Sequence, residues 1–261
     1  MRKLLRSNVL IFILMLLLAA GGFALRCRQL GHELLPDGTL VKGSCLHIIL
    51  GIQSGIAVLL LVACLRPLEK KTAWKEFGSG TKALWVVQIL AALALGVGNV
   101  MGLAKPVVLS SAAGNLANAM GKILPYAGLV AAVCIFLFAI QAMRGKQPSA
   151  VLYILVSLYL VIRLIMDFQS WNTDPSIHDY AYGLLAAICT MLGTYHLAGF
   201  GLDRGKRRMT LFWLLLGLLF CSIHMADAVL RDGLREILLN GALLLVLLTG
   251  SLFLLFPRQE A

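Results

Sequence analysis

Eight apolar stretches follow one another along this chain, each about as long as a helix that crosses a lipid bilayer. They run over residues 7–25, 46–65, 84–104, 124–143, 149–168, 180–199, 210–229 and 235–256. A hydrocarbon core about 30 Å thick takes about 20 helical residues, and each stretch supplies them. The intervals between them are too short for a soluble domain. The expected fold is therefore all-α: a single polytopic integral membrane bundle of about eight transmembrane helices over residues 1–261.

Composition agrees. With 60% apolar and 13% charged residues, a soluble domain would have nowhere to hide its apolar surface, since ordinary domains are about half apolar and a quarter charged. Lipid is the first partner. The formal charge of +11 does not point to nucleic acid, because Lys and Arg fall in short runs between spans and no domain remains to hold DNA or RNA. Those runs orient the chain instead. Arg2, Lys3 and Arg6, Arg66 to Lys82, Arg144 and Lys146, Arg204 to Arg208, and Arg258 place fifteen Lys and Arg on one side. The alternate loops hold seven: Arg26, Arg28, Lys42, Lys105, Lys122, Arg231 and Arg235. Both termini are expected in the cytoplasm, in a plasma membrane of bacterial type.

The opening residues MRKLLR also suit a signal peptide. The sequence AGGFALRC after the apolar run is a poor cleavage site, and no lipobox precedes Cys27, so an uncleaved first helix is favoured. Cys64, Cys134, Cys189 and Cys221 fall inside spans as small hydrophobes. Cys27 and Cys45 flank the first loop and form a candidate disulfide.

The loops differ in character. The first carries His32, Glu33 and a Pro36-Asp37-Gly38 turn. The second is basic, with Trp74 and Phe77 available to lie at the interface. The third, over 107–122, is rich in small residues with Asn115 and Asn118, and reads either as a surface helix or as a re-entrant segment. In the fifth, Asp174-Pro175 reads as an N-cap with proline at the first helical position, starting the sixth span.

Polar residues inside the spans cluster at one level. His47 and Gln53 fall in the outer part of span two, Asn99 in span three, Arg163 and Asp167 in span five, and His224 and Asp227 in span seven. Ionisable groups in lipid are costly and turn towards the bundle interior or a wet cavity. Tyr159, Arg163 and Asp167 are four apart and share one helix face, and Cys221 shares a face with His224. If these faces meet, Arg163 offers a fork for an anionic group, and His224 with either aspartate offers a proton carrier. The competing reading is that Arg163 snorkels to the headgroups, with Asp167, His224 and Asp227 as helix-end charges. Tyr195 and His196 read as interface anchors. Gln88, Gln141 and Ser157 read as helix-to-helix hydrogen bonds.

Sharper chemistry finds no support. There is no HExxH, no Walker loop and no paired-cysteine metal site, and no lysine follows Lys206 to hold a retinal. No cofactor or metal is implied, no motif identifies a family, and an enzyme is disfavoured. The leading expectation is a membrane protein that binds or transports a small polar or anionic solute through an outward-facing pocket. The alternative is a membrane scaffold or subunit that docks a partner protein, with Gly51 and Gly55 serving close helix packing. A third reading, an intramembrane enzyme acting on lipid, lacks a nucleophile.

Overall fold

The computed structural model describes residues 2–33, 40, 45–77, 81–104, 114–171 and 181–256. They form α1 (Arg2–His32), α2 (Cys45–Leu65), α3 (Lys82–Ala104), α4 (Gly114–Met143), α5 (Ala150–Trp171), α6 (Ala181–Ala198), α7 (Arg207–Asp227) and α8 (Leu234–Leu255). All eight are long and apolar enough to span a membrane. The protein is an all-helical, multi-pass membrane bundle.

Six of the helices close a ring. α3 packs on α4, α4 on α5, α5 on α6, α6 on α7, α7 on α8, and α8 returns to α3. α1 and α2 lie outside it against α7, which makes α7 the most enclosed helix of the eight. On the outer faces, Leu10, Ile52, Leu59 and Leu93 are exposed, which suits contact with acyl chains.

The basic end of the ring is filled with aromatic rings. The basic loop after α2 makes a short 3₁₀ turn, Trp74–Phe77. Glu76 Oε2 accepts the Thr72 and Ala73 backbone N–H groups at 2.8 and 3.3 Å and so caps the turn. The turn sends two rings inward. Trp74 stacks on Phe253 at 4.4 Å and meets Phe138 edge-on at 5.4 Å, and Phe77 meets Phe200 edge-on at 5.3 Å. Both side chains are buried, so the interfacial position open to them in the sequence is not the one they take. Eight residues separate the end of α2 from Trp74, so the loop is short enough to be pulled under the bundle, and burial of two large rings outweighs an interfacial seat. Two arginines of the first turn of α7 serve the same closure: Arg207 Nε donates to the Leu254 carbonyl at 3.0 Å and Arg208 Nε to that of Leu68 at 2.8 Å.

At the opposite end the helices are longer than the hydropathy suggests. α1 continues from the expected residue 25 to His32, which places Arg26 and Gln29 on a helix rather than in a loop. α4 begins at Gly114 rather than near 124, so Asn115 and Asn118 lie on a helix. The rest of the third loop from 105 to 113, the Pro36-Asp37-Gly38 turn and the Asp174-Pro175 cap lie outside the described residues. Cys27 and Cys45 are free thiols. α7 ends in a π-helical turn, Ala228–Asp232, closed by Gly233 N–H to the Ala228 carbonyl at 2.9 Å. Gly233, at φ 87°, then reverses the chain straight into α8. A side chain would be strained there, and the sharp reversal is what sets the first turn of α8 beside the ends of α3 and α5.

Candidate functional site

α5 presents Tyr159, Arg163 and Asp167 on one face, as their four-residue spacing requires, and all three border the same cavity. α8 answers with Glu236 and Asn240, also four apart. Arg163 Nη2 donates to Glu236 Oε2 at 2.9 Å and to Asn240 Oδ1 at 3.1 Å, while Arg163 Nε lies 3.5 Å from Asp167 Oδ2. α5 and α8 are not neighbours in the ring, so this pairing crosses its interior. Arg163 is 6% exposed, and its guanidinium is directed inward rather than out to the headgroups. Charge-assisted bonds of this kind are the strong ones, and the alternative is an unpaired charge in hydrocarbon.

A cavity lies on each side of this crossing. The larger, about 80 Å³, lies between α3, α4, α5 and α8, and its polar walls are Asn99, Tyr159, Arg163, Asp167, Arg235 and Glu236. The smaller, about 10 Å³, lies towards α6 and α7, where Arg163 and Asp167 face Cys221, His224 and Asn240. That is room for about one water.

Two local features keep the larger cavity open. Gly102 has no side chain where the Arg235 guanidinium lies across α3; a Cβ there would sit 2.9 Å from Arg235 Nη2. Pro125 stands inside α4 and brings no N–H, so the carbonyl four residues earlier, at Gly121, loses its helical partner. Both Gly121 and Pro125 border the cavity. Several donors are also unsatisfied: Arg163 Nη1, Arg235 Nε and Asn240 Nδ2 are buried and find no hydrogen-bond partner among the described residues. Groups like these are expensive to leave unmade and call for water or a ligand.

The residues singled out from sequence divide as follows. Arg163, Asp167 and Asn99 meet at the larger cavity, and His224 joins Arg163 and Asp167 at the smaller. Asp227 lies behind His224, with Nδ1 to Oδ2 at 3.8 Å, and is held by Arg26 in a buried ion pair at 2.8 Å. Gln53 is outside the ring, where its Nε2 donates to the Leu18 carbonyl at 2.6 Å and fastens α2 to α1. His47 is exposed on α2 against the Tyr182 ring. Neither borders either of these two cavities. Elsewhere, Gln88 bonds Tyr153 and Ser157 bonds Thr194 at 3.0 Å, helix to helix.

Sequence reasoning missed Arg26, Arg235, Glu236 and Asn240. Arg26 and Arg235 look like loop charges when spans are drawn by hydropathy alone. The overlooked signal was the Glu236/Asn240 spacing, which sets two polar groups on one face at the start of a span. No family model matches this chain, nor does any curated protein or solved structure.

Proposed function

We propose that the protein binds a small polar solute in the larger cavity and passes it across the membrane, with the cavity facing away from the cytoplasm. The observation that carries this reading is the buried Arg163, which borders a cavity of about 80 Å³ and whose Nη1 has no hydrogen-bond partner among the described residues. Evolution does not need a two-carboxylate, two-arginine cluster to close a bundle, because a buried ion pair contributes little to stability compared with apolar packing. The aromatic closure at the basic end supports the direction: polar space lies at one end of the ring and a packed plug at the other.

Accessibility tests this. On a chain freed of its six cysteines, Leu124→Cys and Met166→Cys, both at the cavity wall, are labelled in intact cells with a membrane-impermeant thiol reagent. The reading expects labelling at both positions, slowed by a solute that enters the cavity. Labelling at neither removes the outward-facing pocket.

A second reading has one observation in its favour. Gly51 and Gly55 lie on the exposed face of α2 with open space above both, a geometry that admits a close partner helix. A scaffold role would predict cross-linking of α2 to another membrane protein and indifference of both cavity positions to every solute.

A further inference from the structure

We propose that the solute of the larger cavity is a small zwitterion, with a carboxylate and an ammonium group a few ångströms apart, as in a short α-amino acid. This deepens the preceding reading and rests on the cavity being a solute site.

Charge balance is the first argument. The charged groups at the cavity wall are Arg163, Arg235, Asp167 and Glu236, two of each sign. An ion entering this space between the helices would leave one charge uncompensated, which costs several kcal/mol. A zwitterion adds none.

The second argument is the kind of polar atom at the wall. On the α5 and α8 walls, Arg163 Nη1 and Arg235 Nε are donors without partners among the described residues, and both suit a carboxylate. On the α4 wall, Pro125 leaves the carbonyl of the cavity-lining Gly121 without its helical N–H, and Asp167, which already lies 3.5 Å from Arg163 Nε, adds carboxylate charge on α5. Those suit an ammonium group, which donates three bonds and accepts none. A simple anion would use the first set only, and a simple cation the second only.

Size is the third. One water needs about 10–15 Å³ on this measure of volume, so about 80 Å³ holds roughly half a dozen non-hydrogen atoms. Small amino acids have about that many.

The test is calorimetric titration and thermal unfolding of the full chain in lipid nanodiscs, with glycine, alanine and serine as zwitterions. Propionate and lactate carry only the anionic end, and ethylamine only the cationic end. At least one zwitterion should bind and raise the unfolding temperature, with each single-ended analogue weaker by about 10–100-fold, the loss of one charged hydrogen-bonded contact. Pro125→Ala restores the N–H that satisfies Gly121, so it should keep or raise stability while weakening the zwitterion about 3–10-fold, the worth of one hydrogen bond. Propionate, lactate or ethylamine binding as tightly as the best zwitterion overturns the zwitterion assignment and leaves the solute site standing. Unchanged zwitterion affinity in Pro125→Ala also counts against the assignment. No binding by any of the six compounds at tens of millimolar overturns both.

Discussion

Arg26 and Asp227 are 201 positions apart and form a buried two-point ion pair, with Nε to Oδ2 at 3.1 Å and Nη2 to Oδ1 at 2.8 Å. Arg26 also donates to Gln29 Oε1 at 2.8 Å and lies over the Tyr182 ring. The last turns of α1 are thereby fastened to the end of α7, just where the π turn begins, and α7 carries His224 to the smaller cavity.

Breaking that pair from one side should be costly. Arg26→Met or Asp227→Leu alone leaves a buried charge without its partner and is expected to destabilise the protein by about 3–5 kcal/mol. The double substitution should lose much less than the sum, since an apolar pair of similar volume replaces an ion pair at little cost. Thermal unfolding of the four proteins in one detergent closes the cycle. Additive losses would mean the two side chains do not interact.

Arg163→Lys keeps the charge and removes the fork. A single ammonium cannot hold Glu236, Asn240 and Asp167 from the positions that Nη2 and Nε occupy. Solute affinity is expected to fall at least about tenfold, the equivalent of roughly 1.4 kcal/mol. Direct titration measures it, and wild-type affinity in the lysine variant would remove Arg163 from the binding surface.

Two glycines near the cavity should respond differently to a methyl group. In Gly102→Ala the new Cβ meets the end of the long Arg235 side chain, which can swing away; binding should weaken, with about 1 kcal/mol or less lost in stability. In Gly128→Ala it meets the Asn99 amide. Asn99 is buried and its Nδ2 donates to the Leu95 carbonyl at 2.8 Å, so it cannot move freely, and stability should fall by about 1–3 kcal/mol. Denaturation midpoints of the two variants decide whether this order is right.

Removing a ring from the plug tests the basic end. Phe77 is fully buried against Phe200 and Phe253, and Phe77→Ala should cost about 3–5 kcal/mol. It should leave solute affinity within about twofold once the protein is folded, because its ring partners Phe200 and Phe253 do not border the cavity. A matching loss of affinity would show that the plug and the cavity are coupled.

Orientation can be read from a native residue. Cys45 is a free, exposed thiol at the start of α2, at the end opposite the basic loops. With both termini in the cytoplasm, an impermeant thiol reagent should label it in intact cells, and Cys45→Ser should abolish that signal. Labelling only after the cells are opened would reverse the topology.

Helix number and approximate ends were legible in the sequence, because lipid imposes a length and a polarity on every span that hydropathy reads directly. The same pattern hid the ends of the spans. Arg26 looks like the start of a loop because a charge lowers local hydropathy, yet α1 continues past it once Asp227 is there to receive it. Trp74 and Phe77 look interfacial because sequence cannot say how far a loop folds inward. Tyr159, Arg163 and Asp167 share a face by helical spacing alone, so that part of the site could be drawn without coordinates. Which groups they would face could not. Glu236 and Asn240 come to Arg163 through the reversal at Gly233 and the closure of the ring from α3 to α8, and Gln53 and His47 are kept away because α2 packs outside that ring. Depth along the membrane normal is a property of one helix and its sequence. Neighbourhood within the membrane plane depends on how all the helices pack, and only the tertiary structure decides it.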